Sequence, residues 1–481
     1  MAKRQVLLRH QATLYLVSAV MCILPVWSYG KDNDQKAKDS EKTEQPNFAA
    51  RTFDSRVELQ VWVKRTSRSE PMYIGTTLSN TPLEIPDCQI WGVRPLGQVK
   101  DWDLLVREIN KNKIPGLSLA FSTDSDLKHL AGLTGLQVLY LAGTKTTDAG
   151  LKHLAGLAGL QELGLSYTRI TDAGLARLAG MTGLQVLYLS GTKTTDAGLA
   201  HLACLTGLVD LGLGGTQITD VGLEHLAGLT GLQALDLDHT QVTDAGLAHL
   251  AGLTGLKVLD LSNTQVTDAG LEYLKGLTEL GALDLIGSRF IDVGMEHLAG
   301  LTGLQRLYLS NTKVTDAGLA HLAGLTELQV LSLLDTQVTD AGLRNLAGLT
   351  KLEELQLSRT KVTDAGLAHL TGLTELQVLS LLDTNVTDAG LEHLAGLTKL
   401  KELDLSSSQV TDAGLKYLAG LTGLQELNLP NTKVTDAGLA HLAGLTGLKM
   451  LDLRNTQVTD AAMQQLEQKL PKLYIVKTEL K

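Results

Sequence analysis

Leucine recurs along most of the chain at fixed intervals. One stretch of 24 residues, 136–159, has the sequence LQVLYLAGTKTTDAGLKHLAGLAG. Within it, Leu139 and Leu141 alternate with Val138 and Tyr140. Side chains of a strand point to opposite faces in turn, so this alternation predicts a short strand with one leucine face directed inward.

A helix is predicted after each strand. Thr147 is a candidate N-cap, and Asp148 falls in the first turn, where a negative charge suits the helix dipole. Leu151, Leu154 and Leu157 follow at intervals of three residues. This spacing puts the three leucines on one side of a short helix, which can pack against the strand.

The unit is repeated with a constant period. The T-D-A-G motif or a close variant recurs every 24 residues, with its aspartate running from Asp148 to Asp460, which gives fourteen copies without an insertion or deletion. A single unit leaves its leucines exposed, whereas neighbouring units bury them by stacking. The sequence therefore predicts a solenoid.

The L-x-x-L-x-L spacing at this period resembles the leucine-rich repeat family. The T-D-A-G-L-x-x-L variant looks closest to bacterial leucine-rich repeats and to the repeats of F-box/leucine-rich-repeat proteins. The resemblance implies an α/β solenoid of about 14 repeats over 114–460, shaped as a horseshoe or arc with parallel strands concave and short helices convex. Residues 461–481 break the motif and are predicted to cap the end. Thr144 replaces the family's usual asparagine, and its hydroxyl can satisfy buried backbone groups.

The N-terminus has the pattern of a targeting segment. Basic residues precede an apolar run at 14–27, and Ser28 and Gly30 suit cleavage before Lys31. This arrangement predicts a signal peptide over residues 1–30, with an uncleaved N-terminal anchor as the alternative. We therefore expect a secreted protein or one of the cell envelope or periplasm.

Between the targeting segment and the repeats, two further segments are predicted. Residues 31–47 are charged and form a linker. Residues 48–113 are predicted to fold as a small N-terminal cap, with a half-buried strand at 57–63 and helical spacing at 102–109. We expect this cap to cover the open end of the solenoid, since terminal repeats need a covered outer face.

The composition and motifs exclude several classes of function. A net charge of −10 disfavours nucleic acid as a partner, and no nucleophile–His–acid set, P-loop or H-E-x-x-H motif is present, so we expect neither catalysis nor a cofactor. Ten histidines share one helix position, but histidines one repeat apart diverge and cannot converge on one metal ion. The repeated aspartates suggest calcium, but each turn offers only one carboxylate. No metal site is therefore predicted. Cys204 replaces a small residue of the repeat and is expected to be a buried thiol.

Variation along the concave strands marks the candidate ligand surface. Three aspartates occupy the same strand position in consecutive repeats, where like charges repel one another, and aromatic and charged residues flank them. The candidate ligand-binding residues are Tyr188, Asp236, Asp238, His239, Asp260, Asp284, Arg306 and Tyr308. They favour a basic protein ligand, with a glycan as a weaker option; the alternative is a solvated acidic stripe without a function.

Charge is concentrated in the same part of the chain. Residues 201–300 carry 3 basic and 13 acidic residues, whereas residues 1–126 carry 17 basic and 15 acidic. The sequence thus predicts a non-catalytic protein-binding module that uses its concave face. The alternatives are an F-box/leucine-rich-repeat-like substrate receptor in ubiquitin ligation and a host-directed effector. Residues 48–113 lack the helical pattern of an F-box, which argues against the first.

Overall fold

The computed structural model describes residues 51–53, 55, 57–64, 71–77 and 83–477. The predicted signal peptide, its anchor alternative and the charged linker lie outside the described residues. The chain divides into a first unit that ends at Tyr188 and a second unit that begins at Leu189.

The strands are short, and from β6 onward one strand occurs in each repeat. In chain order they are β1 (Arg51–Phe53), β2 (Leu59–Lys64), β3 (Met72–Thr76), β4 (Leu83–Ile85), β5 (Ile90–Pro95), β6 (Gly116–Ser118), β7 (Val138–Tyr140), β8 (Glu162–Gly164), β9 (Val186–Tyr188), β10 (Asp210–Gly212), β11 (Ala234–Asp236), β12 (Val258–Asp260), β13 (Ala282–Asp284), β14 (Arg306–Tyr308), β15 (Val330–Ser332), β16 (Glu354–Gln356), β17 (Val378–Ser380), β18 (Glu402–Asp404), β19 (Glu426–Asn428), β20 (Met450–Asp452) and β21 (Tyr474–Val476).

The helices alternate with these strands. The α-helices are α1 (Trp102–Asn112), α2 (Asp124–Leu127), α3 (Asp148–Leu151), α4 (Asp172–Leu178), α5 (Asp196–Leu199), α6 (Asp220–Glu224), α7 (Asp244–Leu247), α8 (Asp268–Leu271), α9 (Asp316–Leu319), α10 (Asp340–Leu343), α11 (Asp364–Leu367), α12 (Asp388–Leu391), α13 (Asp412–Leu415), α14 (Asp436–Leu442) and α15 (Asp460–Lys469). Short 3₁₀ helices are Lys128–Gly132, Ala248–Leu250, Glu272–Leu274, Gly294–Leu298, Ala320–Leu322, Arg344–Leu346, Ala368–Leu370, Glu392–Leu394 and Lys416–Leu418.

In the first unit, antiparallel strands in the segment predicted as the cap continue into the parallel sheet. Strand β2 pairs antiparallel with β3 and β5, and β5 then pairs parallel with β6, after which each strand pairs with the next as far as β9. The strand predicted in the cap is present, but it is buried on both faces rather than on one. The reason is Trp62, whose ring fills the space that a side chain would take at Gly92 and Gly116.

In the second unit, adjacent strands pair parallel in a register shifted by one full repeat. Asp236 on β11 is the partner of Asp260 on β12, which is the partner of Asp284 on β13. The inward leucines at the middle of these strands, such as Leu235 and Leu259, are fully buried. The predicted parallel sheet with a buried leucine face is therefore confirmed.

A threonine closes the turn after most strands. In the repeat of β11, the Thr240 hydroxyl donates to the Leu237 carbonyl at 2.6 Å, and the preceding residue, His239, has a left-handed backbone with φ 52°. At Thr144 the hydroxyl pairs with the Thr146 hydroxyl at 2.8 Å and accepts from the Thr146 N–H at 3.4 Å. The predicted role of this threonine, satisfying a buried backbone group, is thus found at Thr144 through an N–H and in later repeats through a carbonyl.

The repeated aspartate connects one repeat to the next. Asp316 begins α9, and its Oδ1 accepts from the Thr339 N–H at 2.7 Å while its Oδ2 accepts from the Thr339 hydroxyl at 2.6 Å. We call this contact the Asp–Thr bridge. It also joins Asp124 to Thr147, Asp148 to Thr171, Asp196 to Thr219, Asp220 to Thr243, Asp244 to Thr267, Asp292 to Thr315, Asp340 to Thr363, Asp364 to Thr387, Asp388 to Thr411, Asp412 to Thr435 and Asp436 to Thr459.

The bridge explains the glycine of the motif. A β-carbon at Gly342 would lie 2.4 Å from Oδ1 of Asp316, closer than such atoms approach. Where Ile291 replaces the threonine, the Asp268 carboxylate accepts from two backbone N–H groups, those of Ile291 at 2.9 Å and Gly294 at 2.8 Å. The glycine therefore leaves room for the carboxylate of the preceding repeat.

The predicted helix start is confirmed, whereas the expectation for the cysteine is wrong. Thr147 caps α3 by accepting from the Ala149 N–H at 3.2 Å, and Asp148 lies in the first turn. Cys204 is exposed rather than buried. It occupies the place of Gly228 in the next repeat, where a β-carbon would have no atom within 4 Å.

Candidate binding surface

Three carboxyl groups lie side by side on the strand face of the second unit. Asp236, Asp260 and Asp284 end strands β11, β12 and β13 and are partners in register. Neighbouring strands lie roughly 4.8 Å apart. The structure thus brings together the three aspartates that the sequence singled out, and we call them the aspartate triad.

The aspartate triad is buried, so the alternative interpretation, a solvated acidic stripe, is wrong for these three residues. Exposure is 7% for Asp236, 3% for Asp260 and 4% for Asp284. Gly214 has no side chain, and the Asp236 carboxylate fills that space, where its Oδ2 accepts from the Ser190 hydroxyl at 3.2 Å. The missing side chain at Gly214 thus gives the Asp236 carboxylate a place within the sheet surface.

Each carboxylate of the triad is held by the backbone of its own strand. The N–H two residues further on donates to Oδ1, at 2.9 Å for Asp236, 2.8 Å for Asp260 and 2.9 Å for Asp284. The Ser262 hydroxyl also donates to Asp260. These bonds fix the orientation of the carboxylates but supply no positive charge.

Burial dominates the electrostatics of the triad. It raises the pKa of Asp236 to about 6 and that of Asp284 to about 7, with the nearby Asp238 carboxylate contributing to both. Burial also raises the pKa of Asp260 well above its usual value, followed by the charges of Asp284 and Asp236 on either side. The backbone N–H bonds act in the opposite direction and are outweighed.

Asp238 and His239 are the accessible members of this region. Their side chains are 29% and 43% exposed, and His239 Nδ1 lies 2.6 Å from Asp238 Oδ1. The Asn263 amide donates to that oxygen at 3.1 Å, and the Ser262 Oγ lies 3.0 Å from it. A partner approaching the triad would meet these two side chains first.

The remaining candidate residues lie on two other strands. Arg306 and Tyr308 are half-buried on β14, where Tyr308 is in register with Asp284. Among the residues that the structure describes, no ion pair joins a triad carboxylate to a lysine or arginine. Tyr188 ends β9 in the first unit, half-buried and in register with Gly164.

A second polar cluster was not found by sequence reasoning. In the first unit, Lys64 of the cap places its Nζ 2.9 Å from both carboxylate oxygens of Glu162 and 3.1 Å from the Tyr140 hydroxyl. The lysine and glutamate side chains are 2% and 6% exposed. The partners are 76 and 98 residues from Lys64 in sequence, so only the fold brings them together.

Two features are absent from the described part of the chain. None of its helices is long and apolar enough to cross a membrane. No group of three or more His, Cys, Asp or Glu side chains there is placed to hold a metal ion. The bridging aspartates are engaged by threonines of the next repeat, which favours their structural role.

Comparison with known proteins identifies the repeats. A family model described as a leucine-rich repeat region matches residues 243–480, and a second leucine-rich repeat model matches residues 229–251. Among curated proteins, none matches the sequence significantly. The predicted closeness to F-box repeat proteins stays a prediction.

Solved structures agree with these models. An internalin (inlF) from Listeria monocytogenes is 28% identical with a TM-score of 0.50, over 74% of this chain and 89% of the internalin. A leucine-rich repeat protein of Leptospira interrogans is 21% identical with a TM-score of 0.54, over 72% of this chain and 91% of that protein. With its stacked parallel strands and short helices, the chain belongs to the leucine-rich repeat family.

Proposed function

We propose that this protein is a non-catalytic binding module, secreted or held in the cell envelope, that receives a basic protein partner on the strand face of its second unit. The leucine-rich repeat fold is commonly a protein-binding module. The N-terminal pattern of basic and apolar residues supports export. The acidic groups of the aspartate triad support a basic partner.

The observation that carries the proposal is a set of in-register buried carboxyl groups that form no ion pair with a lysine or arginine of the described residues. Asp260 lies between two like charges, and its charged form is disfavoured by burial. A cationic side chain that approaches past Asp238 and His239 supplies the missing charge and favours ionisation of the triad. Binding should therefore release protons and weaken as the pH falls below about 6.

The first unit contains an intramolecular example of such recognition. There Lys64 binds Glu162 and Tyr140 on the strand face. In the second unit, Asp284 and Tyr308 are likewise neighbours on adjacent strands. An acidic group beside a tyrosine thus already binds an ammonium group in this fold, which supports a lysine-bearing partner at the triad.

The test replaces all three triad carboxylates by amides: Asp236→Asn, Asp260→Asn and Asp284→Asn. The probe is a fluorescent octalysine peptide, and stopped-flow anisotropy measures its association rate. We expect the rate to fall roughly tenfold at low salt and much less at high salt, since the triad acts through charge.

A matched variant removes three exposed carboxylates from other repeats: Asp335→Asn, Asp383→Asn and Glu392→Gln. It removes the same number of carboxyl groups, so an effect limited to the triad variant supports the proposal. Equal slowing by both variants would show that only net charge matters and would contradict a localised site.

The proposed location has its own test. N-terminal sequencing of the chain recovered from culture medium or cell envelope should give Lys31 as the first residue. Recovery only from the cytosol, with residues 1–30 retained, would contradict export and favour a cytosolic substrate receptor instead.

A further inference from the structure

Two exposed aromatic side chains stand on the same edge of the first unit. Phe121 and Tyr167 are each 62% exposed. They follow strands β6 and β8 at equivalent positions, with Gly143 at the same position after β7. Strand spacing separates the two aromatic residues by roughly 10 Å, and the Gly143 N–H bond to the Ser166 carbonyl at 2.8 Å keeps the turns aligned.

The space between the two rings is open. A β-carbon at Gly143 would have no atom within 4 Å. Neither aromatic ring packs against another ring in the described part of the chain. We call this gap, with Phe121 and Tyr167 as walls and Gly143 as floor, the aromatic slot.

Tyr167 adopts a backbone conformation that disfavours its side chain. Its φ is 58°, in the left-handed region, which bulky residues rarely occupy and which Gly, Asn and Asp tolerate better. The same left-handed conformation recurs at this position in later repeats, where Asn and Asp are the commonest residues and His239 and Arg359 also occur. The turn does not require a tyrosine, and this exposed ring contributes little to the fold.

Positive charge accompanies the slot. Lys145 and Arg169 lie two residues beyond Gly143 and Tyr167 and are exposed, and no ion pair engages either side chain in the described structure. The equivalent residue of the next repeat, Lys193, is also basic and exposed, and the three repeats after it have the neutral Gln217, Gln241 and Gln265. The basic residues at this edge therefore contrast with the acidic stretch that follows at 201–300.

We propose that the aromatic slot binds an acidic segment of a partner protein, with a proline ring between Phe121 and Tyr167 and carboxylates on Lys145 and Arg169. Flat rings pack well against aromatic faces, and aromatic-lined grooves recognise proline-containing segments. Two cations suit a short acidic segment. A long nucleic-acid strand fits poorly because the chain carries a net charge of −10. The site lies in the first unit and takes a partner of opposite charge, so it stands or falls separately from the triad.

The test measures binding of the full chain to a fluorescent 15-residue peptide made of three Glu-Glu-Pro-Glu-Glu blocks. The slot variant is Phe121→Ala with Tyr167→Asn, in which asparagine suits the left-handed backbone and should keep the fold intact. The charge variant is Lys145→Gln with Arg169→Gln. We expect the slot variant to weaken binding at least tenfold and the charge variant to do so about fivefold.

Matched controls separate the slot from general surface effects. Lys313→Gln with Lys433→Gln removes two exposed cations at the same repeat position in the second unit, and Tyr273→Ala removes a tyrosine that is 39% exposed elsewhere. Both should leave the dissociation constant unchanged. Equal binding by the slot variant, equal binding of a peptide with glycine in place of proline, or tighter binding of oligo-dT would overturn the proposal.

Discussion

The second unit contains two rows of aspartates, and the charge of the carboxylate has opposite effects on folding in the two rows. In the Asp–Thr bridges, a carboxylate such as that of Asp316 begins a helix and receives an N–H and a hydroxyl from the next repeat. In the aspartate triad, Asp260 is 3% exposed and lies between two like charges. The two hydrogen bonds from Thr459 hold the pKa of Asp436 in the bridge row below its usual value, whereas burial raises the pKa of Asp260.

The difference separates a structural aspartate from a functional candidate. A bridging carboxylate gains hydrogen bonds only when two repeats stack, so its charge stabilises the solenoid. The triad carboxylates lose hydration and gain no counter-charge, so their charge opposes folding. Residues that oppose folding are the ones for which a function is expected, because stability alone would not retain them.

The largest expected effect is a pH dependence of stability carried by the triad. In the unfolded chain these carboxyls titrate near 4, whereas in the folded chain the pKa is about 6 for Asp236 and about 7 for Asp284. Their stabilising contribution is therefore fully present below pH 4 and is lost as the pH rises through 6 to 7. A pKa raised by 2 corresponds to roughly 3 kcal/mol.

Urea unfolding at pH 5 and pH 8 measures this loss. In the triple asparagine variant, the free energy of unfolding should decrease much less between pH 5 and pH 8, because an amide does not titrate. Other carboxyls with a raised pKa, namely Asp404, Glu354 and Glu426, are present in both proteins and cancel in the difference. The same change in the free energy of unfolding between the two pH values in both proteins would mean that the triad does not take up protons on folding.

The sequence predicted the repeat unit well because that unit depends on local pattern. The strand around Leu139, the cap Thr147 and the first-turn Asp148 all follow from residues close in sequence. The burial of Asp236 did not follow, because it depends on Gly214 and Ser190 in the two preceding repeats. Such contacts between repeats require the register and curvature of the sheet, which no single repeat encodes.

The Asp–Thr bridge had a sequence signal that was not recognised. A glycine follows two residues after nearly every repeated aspartate, although glycine is unfavourable inside a helix. That persistence marks a close approach from a neighbouring repeat. The exposure of Cys204 follows from the same kind of evidence, since the glycines it replaces face open space.

The next effect in size tests the bridge through its glycine. Gly342→Ala should lower the free energy of unfolding by about 2 kcal/mol, because the new methyl group displaces the Asp316 carboxylate. Gly348→Ala in the same repeat meets no atom within 4 Å and should be neutral or slightly stabilising. Urea unfolding compares the two. In an Asp316→Ala background the cost of Gly342→Ala should shrink, and an undiminished cost would show that the clash involves another group.

The smallest expected effect comes from replacing a single aspartate by asparagine. This substitution should lower the free energy of unfolding in an Asp–Thr bridge and raise it in the triad, which makes it the sharpest test of the comparison. Asp316→Asn should lower the free energy of unfolding at pH 8 by roughly 1 kcal/mol, since an amide accepts only one of the two bonds from Thr339. Asp260→Asn should raise it by roughly 1 kcal/mol at the same pH, since it removes a buried charge while keeping an acceptor for Ser262. At pH 5 the gain from Asp260→Asn should be smaller, because burial raises the pKa of this carboxyl and favours its neutral form as the pH falls. A loss of stability at both positions would mean that the triad carboxylates, like the bridging ones, contribute to the fold through their charge.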